Sequence, residues 1–278
     1  MPAETIVVTG SRGFIAAALM ARLRAHGHTV VGTDRKDSTN IRAVLAATRP
    51  SIIIHAAAEL YDEAAMFESN VMLTSNILEH CKDVSPRCRM VLIGSSSEYG
   101  RVDKATTEGD PLRPATMYEG TEAAAAMLTQ GYAAACGFQA CVIRPYSVYG
   151  PGEKPQRFVR FLLTKPASIR LCPTPVHDFI YIDDFVDGVC AVLQRQTKAF
   201  DVINLGSGVQ TSNARLVETV EAVLGHKFAI EATLPRKSND ACVWMTDPTH
   251  AHQKYGFRAT TTLEQGVHYM ANVLGHLT

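Results

Sequence analysis

The chain reads as an α/β protein with a doubly wound parallel sheet and a smaller, discontinuous C-terminal lobe. Three observations predict this. Apolar β-branched runs alternate with longer helical patterns over the first 145 residues, and those runs are continuous, as strands buried on both faces must be. Beyond Pro145 the texture changes to proline-rich loops before strands and helices return.

Taken in order, "TIVVTG" is a strand that feeds the helical "FIAAALMARLRAHG". "HTVVGTD", "SIIIHAAA", "RMVLIGSSS" and "QACVIRP" supply further strands, separated by helices in "IRAVLAATR", in "SNVMLTSNILEHC" and after Thr116. Thr116 and Glu119 form a T-x-x-E capping box, which starts the last of these helices at Met117 and fixes Tyr118 in its first turn. "RPYSVYGPGEKPQ" and "KPASIRLCPTPVHD" read as loops leaving the sheet to cover something. A strand and helix return in "FIYIDDFVDGVCAVLQRQ" and a strand in "FDVINLGSG", followed by helices "SNARLVETVEAVLG" and "TLEQGVHYMANVLG". The expected division gives residues 1–146 to the main domain, with 178–206 and about 243–255 returning to it. Residues 147–177, 207–242 and 256–278 form the lobe.

Composition narrows the partners. Twenty-seven basic residues balance 27 acidic ones at a sequence pI near 7.1, so no basic footprint points to nucleic acid or a membrane surface. No apolar run approaches the roughly 20 residues of a membrane span, and the N-terminus has no secretory pattern, so a cytoplasmic protein acting on small molecules is expected. The seven cysteines are scattered without CxxC or metal-ligand spacing, so they read as core residues and no metal is expected.

The most informative stretch is "VVTGSRGFIAAALM". Gly10 and Gly13 stand directly after a strand and at the start of a helix, where backbone can approach a diphosphate held by the helix N-terminus. Asp34 ends the next strand, some 20 residues on, where a carboxylate would accept hydrogen bonds from ribose hydroxyls. "TGSRGFIA" resembles the TGxxGFIG fingerprint of the extended short-chain dehydrogenase/reductase family, a group of nucleotide-sugar epimerases, dehydratases and reductases. Ala16 stands where that fingerprint has its third glycine, a position that needs smallness more than backbone freedom. The resemblance implies a Rossmann-type fold and an NAD site made by Gly10, Ser11, Arg12, Gly13, Phe14, Ile15 and Asp34. Arg12 and Arg35 would also suit the 2′-phosphate of NADP, so both cofactors stay open, with NAD favoured.

The resemblance runs on. "HAAA" at 55–58 matches the family's HxAA element and brings Ala56 and Ala57 beneath the cofactor. Asn70 matches the NVxGTxNLLEA helix, although the twelve-residue segment before it is short for the family. "VLIGSSSEYG" resembles SSxxVYG, which puts Ser95, or with a one-residue shift Ser96, against the reacting carbon. "RPYSVYGPG" resembles RPxNVYGPG with Ser147 replacing the asparagine, and "HDFIYIDDFVDGV" resembles RDFIyVdD with His177 replacing an arginine. "LPRKSND" resembles the RPGD loop. Glu98, Ser147, Arg157, His177 and Arg236 are thereby candidates for holding a nucleotide-activated sugar, and the alanine-rich helix "AAAAMLTQGYAAA" for a homodimer interface of the family's kind.

Tyr118 falls where the family has the tyrosine of its YxxxK motif, with Glu122 in place of the lysine. The resemblance implies that Tyr118 exchanges a proton with a sugar hydroxyl while nicotinamide takes or returns hydride. A carboxylate at 122 pushes a phenol the opposite way from a lysine. Three readings follow: Tyr118 works as a neutral acid with Glu122 on the cofactor ribose; Glu122 or Glu98 serves as base in a proton-transfer epimerisation or elimination; or hydride chemistry is lost and an NAD-binding sensor or partner protein remains.

Overall fold

The structure, a computed structural model, describes residues 2–34, 40–84, 88–196, 198–235 and 243–276. Along the chain run β1 (Thr5–Thr9), α1 (Phe14–Ala25), β2 (Thr29–Thr33), α2 (Ile41–Thr48), β3 (Ile52–His55), α3 (Glu63–Met66), a π-turn (Phe67–Met72), α4 (Leu73–Val84), β4 (Arg89–Ile93), a 3₁₀ turn (Ser96–Tyr99), α5 (Met117–Cys136) and β5 (Ala140–Pro145). There follow β6 (Ser147–Tyr149), α6 (Phe158–Leu162), β7 (Ser168–Leu171), β8 (Val176–Tyr181), α7 (Ile182–Arg195), β9 (Phe200–Leu205), β10 (Gln210–Ser212), α8 (Asn213–Leu224), β11 (Ala229–Thr233), α9 (Thr249–Tyr255) and α10 (Leu263–Val273).

Two compact units result. The first holds residues 1–100, 108–145 and 189–204, the second 101–107, 146–188 and 205–278. The first unit is built on a six-stranded sheet in the order β2-β1-β3-β4-β5-β9. Its strands pair in parallel from β2 across to β5. Ile6, Val7 and Val8 of β1 and Ile53 and Ile54 of β3 are wholly buried, which is why these strands carry no polar alternation. The chain passes from β2 across β1 to reach β3, so the strand order reverses between β1 and β3; that reversal opens a crevice at the carboxyl ends of those strands. Ala16, in the place of the third fingerprint glycine, is 1% exposed on α1.

The second unit has a three-stranded sheet, β10-β8-β6, and a two-stranded one, β11-β7. Here the expected boundaries shift. Residues 178–188 and 243–255 belong to the second unit, because β8 pairs with β6 and β10 and because Asp178 ties its neighbourhood together. That buried carboxylate accepts from Ser207 N at 2.7 Å, Ser207 Oγ at 2.6 Å, Gly208 N at 2.9 Å and Thr246 N at 3.2 Å. "RPYSVYG" is likewise less loop-like than expected, since Ser147–Tyr149 forms β6 and pairs with Phe179–Tyr181.

Two local features bear on the site. The helix expected through "SNVMLTSNILEHC" begins earlier, at Glu63, and carries the π-turn at Phe67–Met72. The capping box at Thr116 and Glu119 is present as expected: Glu119 N donates to Thr116 Oγ1 at 3.2 Å and Thr116 N to Glu119 Oε2 at 3.1 Å. Among the described residues no helix is long and apolar enough to cross a membrane.

Candidate active site

The turn after β1 forms one wall of a cavity of about 640 Å³. Gly10 has φ +68°, and a Cβ there would stand 2.8 Å from Ala57 Cα and 2.9 Å from Ala56 O, so only glycine lets the turn rest on the chain leaving β3. Gly13 N-caps α1 without any side-chain cap, which leaves the first amides of that helix open to an anion. Asp34 lies at the end of β2 and, like Arg12, Ala56 and Ala57, lines the cavity. Arg12 Nε is 2.9 Å from the Asp34 carboxylate, with Arg12 largely in solvent and Asp34 mostly covered. A cradle that a single Cβ would fill, a helix N-terminus and a carboxylate at the end of the adjoining strand fit a dinucleotide. Ser11 sits in the same turn, its N donating to Thr33 O at 2.9 Å; Phe14 and Ile15 open α1, half-buried beside the cavity. Arg35 lies outside the described residues.

Beneath the cradle runs a hydrogen-bonded chain that sequence reading missed. Thr74 Oγ1 donates to Asn70 O at 2.6 Å, so it must accept from His55 Nε2 at 3.0 Å. That assignment leaves His55 Nδ1 as an acceptor for Thr9 Oγ1 at 2.6 Å, while Thr9 Oγ1 itself accepts from Ala56 N and Ala57 N. Burial pushes the His55 imidazole down to about 4, so the ring is neutral in the one tautomer the chain demands. Asn70 continues the line: its side chain accepts from Glu59 N and donates to Glu59 O and, at 3.0 Å, to Thr121 Oγ1. Thr121 in turn donates to Tyr118 O at 3.0 Å. The short segment before Asn70 is closed by the Glu59 carboxylate, which accepts from the amides of Leu60, Tyr61 and Asp62. The signal available in advance was the spacing of Asn70 and Thr74, one helical turn apart, facing a histidine at a strand end.

Tyr118, in the first turn of α5, is half-buried. Ser95 N-caps the 3₁₀ turn, its Oγ accepting from Ser97 N at 3.1 Å, and Ser95 and Ser96 are 8% and 5% exposed. Glu98 is fully buried. Its Oε1 accepts from Ser95 N at 2.9 Å and its Oε2 from Arg144 Nε at 2.8 Å, and a Cβ on Gly94 would lie 2.4 Å from Oε1. The Arg144 guanidinium stacks 4.7 Å over the Tyr99 ring and donates to the Tyr99 hydroxyl, which donates to Asn204 Oδ1. Glu122, 4% exposed, shares the core face of α5 with Ala125, Ala126, Thr129 and Ala133. Burial first, and the Glu98 charge second, push its carboxyl up to about 8.

In the second unit Ser147 and His177 are half-buried on β6 and β8, the His177 ring 5.4 Å from that of Phe179. Arg157 N-caps α6 and pairs through Nε with Glu153 Oε1 at 3.2 Å. Arg236 lies outside the described residues. Among the described residues no group of three or more histidine, cysteine or acidic side chains gathers to hold a metal.

Residues 6–206 match the model of the NAD dependent epimerase/dehydratase family. The chain belongs to that family. Similar proteins extend the match beyond residue 206. A probable UDP-glucuronate 4-epimerase from Rhizobium meliloti is 27% identical, covering 94% of both chains. A dTDP-6-deoxy-L-talose 4-dehydrogenase from Kitasatospora kifunensis is 26% identical over 94% of this chain and 93% of its own. The solved structure of MoeE5 with UDP-glucuronic acid and NAD superposes with a TM-score of 0.90 at 26% identity, covering 99% of this chain and all of that one.

For an epimerase/dehydratase family member, one expectation needs correcting. Glu98 does not meet substrate, because both of its oxygens are committed inside the protein and none of it reaches solvent. Of the alanine-rich stretch of α5, Ala125, Ala126 and Ala133 pack in the core with Ile77, Leu78 and Val142, while Ala134 and Ala135 are exposed. Tyr118 and Glu122 do not line the cavity at the cofactor turn; the bonded line from Thr9 through His55, Thr74, Asn70 and Thr121 ends at the Tyr118 carbonyl.

Proposed function

We propose that the protein is an NAD-dependent enzyme of epimerase, dehydratase or reductase type that acts on a nucleotide-activated sugar. The cofactor cradle around Gly10 carries this reading, since its geometry tolerates no side chain at that position and the cavity it walls is lined by Asp34, Ala56 and Ala57. Asp34 would hold the adenosine ribose and the open amides of α1 the diphosphate. Bound NAD supplies reversible hydride transfer at a sugar carbon. Tyr118 exchanges the proton of the sugar hydroxyl, and Ser95, with Ser96 behind it, orients that hydroxyl. Ser147, Arg157, His177 and Arg236 are the second unit's candidates for the nucleotide diphosphate.

Of the three chemical readings, the geometry favours Tyr118 as a neutral acid. Glu98 is locked to Arg144, so it cannot serve as base, and no cation stands at position 122 to favour a phenolate. A homodimer through the outer surface of the π-turn and α5 is part of the proposal, since Phe67 and Met72 of the π-turn and Met117 and Met127 of α5 are exposed. The test is incubation of purified protein and NAD(H) with UDP-glucuronic acid, UDP-glucose and dTDP-glucose, with products followed by NMR. New sugar signals that vanish in Tyr118→Phe support the reading. Tight NAD binding with no turnover of any nucleotide sugar would instead favour the sensor.

A further inference from the structure

The cavity at the cofactor turn reaches beyond its glycine cradle. Gly10, Gly13 and Asp34 form part of its wall, and the rest includes Ile41 at the start of α2 and, from the π-turn and α4, Glu68, Ser69, Leu73 and Asn76. The π-turn divides this segment between two tasks. With its wide step, in which Leu73 N donates to Glu68 O, Asn70 and Thr74 join the bonded line from His55 while Ser69, Leu73 and Asn76 line the cavity.

Leu73 and Asn76 stand out among these side chains. Leu73 occupies the place where the NVxGTxNLLEA pattern has glycine; it is 7% exposed and packs in one apolar cluster with Ile41 at 2%. Hydrocarbon therefore lines the cavity where a glycine would leave it open. Asn76, one helical turn beyond Leu73, is half-buried, and its amide hydrogen-bonds to no described residue. An amide with two donors and an acceptor unspent, beside an apolar bed, suits a planar heterocycle whose face meets hydrocarbon and whose edge meets the amide.

We propose that Asn76 selects the adenine base of the dinucleotide, its amide pairing with the edge of the base while Ile41 and Leu73 pack against the ring. This rests on the cofactor reading above. With the diphosphate on the open amides of α1 and the ribose at Asp34, the base leaves the ribose on the side away from the diphosphate. Ala56 and Ala57 lie against Gly10, and Glu68 and Ser69 adjoin Asn70, whose amide is bonded to Glu59, so that stretch of wall belongs to the diphosphate end. Ile41, Leu73 and Asn76 are left for the base. Adenine carries its amino donor beside a ring-nitrogen acceptor, and a carboxamide, with one acceptor beside one donor, is the complement of that pair.

The test is titration calorimetry of the full chain with NAD and with its ethenoadenine analogue, in which a two-carbon bridge across the amino group and the adjacent ring nitrogen removes the amino donor. The wild type should bind NAD about tenfold more tightly than the analogue. Asn76→Leu keeps the volume and suits a helix, and it should bind the two dinucleotides within about twofold of each other, by losing affinity for NAD alone. If that variant does not fold, Asn76→Ala reads the same ratio. ADP-ribose, which has the adenine end without nicotinamide, should lose affinity in the variant as NAD does. A wild type without preference, or a preference that survives in the Asn76 variant, overturns the proposal. A chain that binds neither dinucleotide nor ADP-ribose sinks the cofactor reading and this one with it; NAD binding whose preference does not depend on Asn76 sinks this one alone.

Discussion

His55 and Glu122 are both ionisable, both buried in the first unit, and both forced toward neutrality by loss of water, yet they serve opposite ends. His55 has a partner on each ring nitrogen and sits in the middle of a bonded line from Thr9 to Asn70. Glu122 has a like charge nearby and no hydrogen-bonding partner among the described residues. A satisfied buried group is a joint in the frame, whereas an unsatisfied one keeps its capacity for a ligand or a proton.

The sharpest way to break the comparison is pH. The folded protein holds the Glu122 proton more tightly than the unfolded chain does, so the stability this contributes is full below about 4.5 and is lost as pH rises through about 8. The loss is about 5 kcal/mol at most, because local opening to water caps it. Glu122→Gln should remove that decline in urea titrations from pH 6 to 9, and a decline that persists in the variant removes Glu122 as its source. His55 runs the other way. Its folded value lies below the ordinary one, so its contribution is present above about 6.5 and lost as pH falls through about 4, on the order of 3 kcal/mol. The same titrations from pH 7 to 4 read it.

Thr9→Val keeps the shape of the side chain but strips the donor to His55 and the acceptor for two amides. It should cost about 2 kcal/mol in chemical denaturation. A change within experimental error would mean that the line from β1 to α4 is not a joint at all. The smallest expected effect lies at the cavity mouth, where Asp34→Ala removes the proposed ribose acceptor and the ion-pair partner of Arg12. Calorimetry should show NAD binding about tenfold weaker, roughly 1.4 kcal/mol, with NADP binding weakened less or improved.

Features set by neighbours in the chain were legible before the structure. "TGSRGFIA" declares a strand, a glycine turn and a helix within eight residues, and the structure puts them at the reversal of strand order. The capping box at Thr116 depends on a spacing of three, so the start of α5 and the place of Tyr118 could be read directly. Glu98 misled because a carboxylate five residues after a strand reads as exposed; nothing local reports that Arg144, 46 residues on, turns its guanidinium toward it. The π-turn was equally hidden, since the extra residue is accommodated by Asn70 bonding to Glu59 and Thr121, one of them 51 residues away.

By itself the sequence determined the class of fold, the cofactor turn, the carboxylate at the end of β2 and the helix that begins at Met117, because each is encoded in contiguous patterns of side-chain size, periodicity and capping. Only the tertiary structure decided what kind of acid Glu122 is. A carboxyl one turn beyond a tyrosine has the same spacing in a solvated pair and in a buried one; its protonation depends on how much water is excluded and which charges close in, and both are set by packing against residues far away in the chain.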